Sequence, residues 1–339
     1  MRRGSVLALV GIGVVAGGIA AAVAVLLPWL PTPASREAGR IDFVFWFVIG
    51  ICIFIFSIVV AALLYSIVRF RAAPGDDSDG KPIHGHTGLE IAWTIVPTVL
   101  VTAIGIASAI VLAQNDAQGK DVLHVDVTAQ QFAWTFSYPD EGGVTSSVLR
   151  LPKGRSVLLS LHSKDVIHAF WVPDFSQKQD IVPGLTTTLH ITPTRLGTFP
   201  VVCTELCGLG HALMRSEAIV MDPGAFDAWV KGQAQATTSA NPATAGKAVF
   251  QDNGCGSCHT LTAAGASGTV GPNLDKLATY AAQFHQAPAS FALTQITHPD
   301  TFRQPGYPQN VMPRTFGSSL SKQQLDALVQ FLVSSSKKG

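Results

Sequence analysis

The chain has 339 residues, 47% hydrophobic and only 13% charged, with a formal net charge of +1. That length accommodates two soluble domains, or one together with membrane helices, and the balanced charge removes the electrostatic footprint of a nucleic-acid binder. Four of the five Cys fall in two close pairs, each beside a His, which points to metal or haem chemistry and away from a disulfide framework.

Arg2 and Arg3 precede an apolar run from Ser5 to Leu27 and then a Pro/Ala-rich stretch. Residues 1–34 read either as a signal peptide, with small residues near Thr32-Pro-Ala34 as its cleavage site, or as an additional transmembrane helix, because the run is longer than a usual signal core. A second uncharged run, 43–68, ends at Arg69 and Arg71, which the positive-inside rule assigns to the cytoplasm. A third run, 91–113, brings the chain back out, so residues 41–114 read as a two-helix transmembrane hairpin. Thr87-Gly-Leu-Glu90 has the form of a capping box opening the third helix. From that position Glu90 is either a carboxylate favoured by the helix dipole or a proton-entry group at the inner membrane edge. His84 and His86, in the preceding loop, read as solvated.

From Val122 short alternating segments separated by Pro and Gly turns predict an antiparallel β sandwich or barrel over residues 120–230. Its chemistry concentrates in Cys203-Thr-Glu-Leu-Cys207-Gly-Leu-Gly-His211-Ala-Leu-Met214. Two Cys and a His would fill most of a structural zinc site. The thioether of Met214 instead favours copper with a weak axial ligand, and the second thiolate suggests two metals bridged by both sulfurs. Glu205 can add its carbonyl. A second imidazole is then needed beside His211. His168, in Asp165-Val-Ile-His168-Ala-Phe-Trp, has apolar flanks that would shield a site, whereas His124, His162 and His190 lie in strand patterns without them.

Residues 231–243 are small and polar and read as a flexible linker. Within 244–336, Cys255-Gly-Ser-Cys258-His259 is a c-type haem attachment motif: the thiols add to the haem vinyl groups and His259 ligates iron. Met312, the Met of this part, is favoured as sixth ligand, with His285 and His298 as alternatives. Ser321 caps a closing helix whose Leu325, Leu328, Phe331 and Leu332 share one face.

Three stretches, residues 85–97, 165–173 and 203–214, resemble subunit II of the haem-copper cytochrome c oxidases, in the form with a fused cytochrome c domain. The resemblance implies a multidomain membrane protein: a transmembrane α-helical hairpin, an all-β cupredoxin-like Greek-key sandwich, then an all-α cytochrome c domain. It implies that His168, Cys203, Cys207, His211 and Met214 hold the dinuclear copper centre CuA with the Glu205 carbonyl. The Glu205 carboxylate would help hold Mg²⁺ at the interface with subunit I, and Glu90 would lie at the mouth of a proton channel. The implied function is electron input to a proton-pumping terminal oxidase, from covalent haem c to CuA and on to haem and CuB in subunit I, where O₂ becomes water. Subunit III is a further implied partner, and the donor is a cytochrome c or a quinol:cytochrome c reductase. The implied location is multi-pass in a bacterial inner (plasma) membrane, with both soluble domains on the periplasmic or outer face.

One departure stands out in Gln131-Phe-Ala-Trp134-Thr-Phe136. Phe132 occupies the place where the family has an electron-accepting Trp, so that role is assigned to neither Phe132 nor Trp134. The copper motif speaks against quinol oxidases. The rival readings are an equivalent subunit of a nitric oxide reductase and a free-standing membrane-anchored electron carrier. Glu90 and Glu205 favour the oxidase, and a carrier needs only one anchoring helix.

Overall fold

The computed structural model describes residues 3–72, 74, 75, 82, 84–117, 119, 121–237, 241–307, 309, 311–314 and 316–336. The chain divides into two compact units, Met1–Thr32 with Gly39–Asn115, and Pro33–Ala38 with Asp116–Gly339.

The first unit is built on α1 (Arg3–Leu26), α2 (Arg36–Arg69) and α3 (Thr87–Asp116). Among the described residues these are the three helices long and apolar enough to cross a membrane. The helices α2 and α3 outrun the expected spans 43–68 and 91–113. Hydropathy marks only the part that needs lipid around it, while backbone hydrogen bonding carries the helix on past its apolar stretch. Small residues let α1 lie close to α2: a Cβ at Gly13 would sit 3.6 Å from Ala61 Cβ, and one at Gly17 would press on the Ser57 hydroxyl.

The cap of α3 is displaced by one residue from the expected box. The Leu89 N–H donates to His86 Nδ1 at 3.2 Å, and the His86 N–H donates to Glu90 Oε1 at 3.0 Å. His86 is thus the N-cap, its imidazole accepting where a Thr87 hydroxyl was expected to. It is not merely solvated.

The second unit begins with a β sandwich. Its strands are β1 (Leu123–Gln130), β2 (Ala133–Tyr138), β3 (Val144–Ser146), β4 (Leu149–Pro152), β5 (Val157–Ser163), β6 (His168–Val172), β7 (Gln177–Ile181), β8 (Thr187–Ile191), β9 (Gly197–Cys203) and β10 (Arg215–Met221). One sheet runs β3-β2-β1-β5-β8 and the other β4-β10-β9-β6-β7. Alternation decides which residues face inward: Val125, Val127, Leu159, Leu161, Phe136, Phe170 and Val201 are fully buried between the sheets. The expectation of purely antiparallel pairing holds except at β1–β5 and β4–β10, which are parallel. The chain crosses repeatedly from sheet to sheet, so strands that become neighbours are not consecutive, and some arrive in the same direction. Residues 33–38 dock on this sandwich: the Ala34 N–H donates to Asp174 O and the Thr194 N–H to Ala34 O, both at 2.8 Å. The buried Glu37 carboxylate accepts from the Thr192 N–H, also at 2.8 Å.

After the sandwich comes α4 (Pro223–Thr237), which runs through residues 231–237 of the expected linker. Ala and Gln are good helix formers, and Asn241 caps the next helix, α5 (Pro242–Asp252), with Pro242 at its first position. Residues 238–240 of that linker lie outside the described residues. Then follow α6 (Cys255–Cys258), α7 (Leu277–Gln283), α8 (Pro288–Thr297), α9 (Phe316–Ser319) and α10 (Lys322–Ser335). Ser321 caps α10 in a full capping box with Gln324. Helices α5 and α10 cross where Gly246 leaves room: a Cβ there would overlap Ala327 O and Phe331 Cβ. Phe250 and Phe331 stack edge to face beside the crossing at 6.2 Å. Gly246→Val should therefore destabilise the helical part by about 3 kcal/mol, read as a lowered denaturation midpoint. An unchanged midpoint would mean that the helices do not cross at Gly246.

Candidate functional site

Strand β9 delivers Cys203 at its last position, and the following loop returns to β10 after Met214. The Cys203 N–H closes that loop on Met214 O at 3.2 Å, and the Thr204 N–H ties it to Ala169 O of β6 at 3.1 Å. Since Phe170 pairs with Cys203 across β6 and β9, His168, the first residue of β6, is carried to the same place. Cys203 Sγ lies 3.9 Å from Cys207 Sγ, 3.9 Å from His168 Nδ1 and 3.3 Å from Glu205 O. Cys207 Sγ lies 3.5 Å from His211 Nδ1 and 3.8 Å from Met214 Sδ. All six residues singled out in the loop and at His168 thus converge. Among the described residues, His168, Cys203 and Cys207 form the one cluster whose ligand atoms all lie within 4.8 Å of one another. His168 and Met214 are fully buried, Cys203 and Cys207 nearly so, and the Glu205 side chain is exposed.

The electrostatics ask for a cation. Burial pushes the Cys207 thiol up to about 12, with the neighbouring Cys203 charge adding to the effect. Burial also opposes ionisation of Cys203, yet hydrogen bonds with His168 and with the Ala169 and Glu205 backbone hold it down at about 6. A charge on Cys203 opposes ionisation of Cys207. Soft metal ions at the sulfurs would remove that repulsion, and the donor set of two thiolates, two imidazoles, a thioether and a carbonyl fits copper.

Two residues that sequence reasoning gave no role complete the setting. Asp165 Oδ1 lies 2.8 Å from His168 Nε2 and accepts from the Val166 N–H at 2.7 Å. Its Oδ2 accepts from the Gln131 N–H at 2.6 Å. Burial would lower the pKa of His168, but Cys203 and Asp165 outweigh it and raise it. Asp165 therefore fixes the ring with Nδ1 toward the sulfurs. Gln131 Nε2 donates to Cys207 O at 2.6 Å, steadying the loop. The Asp165 signal lay in its spacing three residues before His168. The Gln131 contact joins positions 76 apart and left no local trace.

A second site opens in the same unit. Cys255, Cys258, His259 and Met312 line one largely apolar cavity, whose opposite wall comes from Phe132, Trp134, Leu213 and Arg215 of the sandwich. His285 and His298 are not among its lining residues. The His259 Nδ1 lies 2.8 Å from Pro272 O, so that nitrogen donates and Nε2 keeps its lone pair for a metal. Burial lowers the His259 pKa, with the Pro272 hydrogen bond offsetting part of it. The ring rests on Gly271, where a Cβ would overlap it. Burial pushes Cys255 up to about 12 and raises Cys258 as well, so both are thiols. The pair of thiols, the oriented imidazole and the apolar cavity fit a covalently attached haem. Glu90 belongs to the other compact unit, at the first turn of α3.

Comparison with known proteins adds three family matches: the cytochrome c oxidase subunit II transmembrane domain over residues 24–111, its periplasmic domain over 144–222, and cytochrome c over 243–336. The cytochrome c oxidase subunit 2 of Alkalihalophilus pseudofirmus is 33% identical over 286 residues, 81% of this chain and 82% of the relative. That of Thermostichus vulcanus is 34% identical over 267 residues, 63% of this chain and 81% of the relative. Among solved structures, the periplasmic domain of subunit II of cytochrome oxidase of Bradyrhizobium japonicum is 26% identical, covering 35% of this chain and 96% of that one, with a TM-score of 0.33.

Asp165→Asn, which keeps the turn but removes the charge behind His168, should weaken copper binding about 10–100-fold. Competition against a chelator of known affinity measures this. An unaltered affinity would deny Asp165 its orienting role.

Proposed function

The chain belongs to the cytochrome c oxidase subunit II family and carries a cytochrome c domain, and we propose that it is the electron-input subunit of a proton-pumping terminal oxidase. The observation that carries this reading is the pair of sulfurs 3.9 Å apart, with an imidazole, a thioether and a carbonyl beside them. It lies in the same compact unit as the cavity of Cys255, Cys258 and His259. When bound, a dinuclear copper centre and a covalent haem supply reversible one-electron chemistry, linking an external donor to the subunit where O₂ is reduced to water.

The residues divide that work as follows. Cys203 and Cys207 would hold the copper through their sulfurs, with the His168 and His211 Nδ1 atoms beside them as further donors. Met214 and the Glu205 carbonyl are weaker donors, suited to setting potential more than affinity. A rigid β ladder on both sides of the loop keeps these donors in place as charge changes. Cys255 and Cys258 would anchor the haem, and His259 and Met312 would supply its iron ligands, a pairing that raises the potential. The presence of Met312 in the cavity lining, and the absence of His285 and His298, support that choice. The exposed Glu205 carboxylate is available to a Mg²⁺ at the contact with subunit I, and the exposed Glu90 to a proton-entry path. The chain is a membrane protein, and we place its soluble unit on the outer face of a bacterial plasma membrane.

Purification in mild detergent, with reduced-minus-oxidised spectra, copper content and O₂ uptake measured on one sample, tests the whole reading. A haem c signal, two coppers per chain, a co-purifying subunit with its own haem, and O₂ uptake are the expected result. Cys207→Ala should abolish copper binding and O₂ uptake while leaving the haem c spectrum intact, and Met214→Leu should keep the copper and shift its potential. O₂ uptake that survives Cys207→Ala would sink the proposal.

A further inference from the structure

The sandwich and the helical part meet along a seam that carries polar contacts beside the cavity. Ser147, between β3 and β4, donates its hydroxyl to Gln251 O of α5 at 2.6 Å. Gly254, at φ +68°, brings the turn before Cys255 against Ser147, leaving 3.2 Å between a would-be Cβ and Ser147 Cβ. Behind these contacts lies Asp252, the last residue of α5, only 4% exposed. Its place is unfavourable for a charge on two counts. A carboxylate at a helix C-terminus opposes the helix dipole, and burial strips away its water.

The groups facing Asp252 can be named element by element. From α4, Gln233 Nε2 donates to Asp252 Oδ1 at 3.3 Å and brings no charge. From β4, Arg150 is, among the described residues, the cation acting on it. That guanidinium is also engaged elsewhere, donating to Ser146 Oγ at 2.8 Å and lying over the Trp229 ring at 4.9 Å. Glu217 of β10 and Tyr138 of β2 act on Arg150. Burial raises the carboxyl to about 7, with Arg150 offsetting part of the effect.

We propose that docking of the haem-bearing helices onto the sandwich is proton-linked through Asp252: the seam closes with Asp252 neutral and loosens when it ionises. The sign follows from linkage. The docked state holds the proton more tightly than the undocked one, so the stabilisation is complete below the ordinary carboxylate range. It declines as pH rises and is fully lost above about 7. Within that window a one-proton linkage changes the docking equilibrium by about tenfold per pH unit. The consequence reaches the haem cavity, because Phe132, Leu213 and Arg215 form its sandwich-side wall. A looser seam opens that wall.

The proposal concerns docking and stands whether or not electrons pass between the two sites. Hydrogen exchange of the detergent-solubilised full chain, followed by mass spectrometry from pH 5 to 8 and corrected for intrinsic exchange, tests it without turnover. Protection of residues 144–152 and 247–256 should fall as pH rises and level off above about 7, while the strand β5 stays protected throughout. Asp252→Asn, neutral at every pH, should stay protected across the range. Arg150→Gln removes the attraction that favours the ionised form, so the levelling should move to higher pH. A flat profile in the unaltered chain, or an unchanged slope in Asp252→Asn, would overturn the proposal. So would an Arg150→Gln profile that does not move or moves downward.

Discussion

Two sulfurs 3.9 Å apart under an almost closed surface set the terms for the soluble unit. Two unit charges at that separation repel by about 4 kcal/mol at an effective dielectric of 20, an appreciable share of the 5–15 kcal/mol or so that stabilises a typical domain. The fold therefore cannot hold Cys203 and Cys207 both ionised by itself. It can hold the geometry ready. Cys203 is fixed by the β6–β9 pairing and by the Met214 carbonyl, His168 by Asp165, and Cys207 by Gln131. Each donor is tied to the ladder or to a neighbour by a bond that does not involve a metal.

That division of labour explains the asymmetry between the two cofactor sites. The copper donors come from one strand end, one loop and the start of a second strand, all within one sandwich, so a single register error would scatter them. The candidate haem residues come from one short helix, its C-cap and the non-helical segment at Met312, beside a helical core of Phe250, Phe291, Phe331 and Leu328, and the sandwich supplies part of the cavity wall. A covalent link through Cys255 and Cys258 would suit a pocket built this way, because retention of a haem would not then depend on enclosure.

Much of this was legible in the chain itself, because the relevant signals are local. CxxCH and Cys203 to Met214 are contiguous, apolar runs announce membrane helices, and Ser321 with Gln324 spells out a cap. The departures have two sources, local chemistry that a motif does not name and contacts between distant segments. His86 took over the cap from Thr87 because an imidazole happened to reach Leu89. The stretch after Lys231 became helix where composition alone suggested a linker. The parallel pairs β1–β5 and β4–β10 follow from crossings between sheets that no local period encodes. Gln131 and Asp252 carry no motif, and contacts with other segments give them work, whereas Asp165 acts on His168 only three residues on.

Phe132 shows how a departure from the family pattern acquires a physical reason. Its ring fills the space beside Gly208 and Gly210 of the copper loop; a Cβ at Gly208 would already sit 3.2 Å from Phe132 Cζ, and one at Gly210 would overlap the ring. The same ring lines the cavity that Cys255 and Cys258 line from the other side. Position 132 is thus packed tightly against the copper loop on one face and borders the cavity on the other, where it is only half-buried. The constraint on this side chain is therefore steric, set by the glycines of the loop it covers.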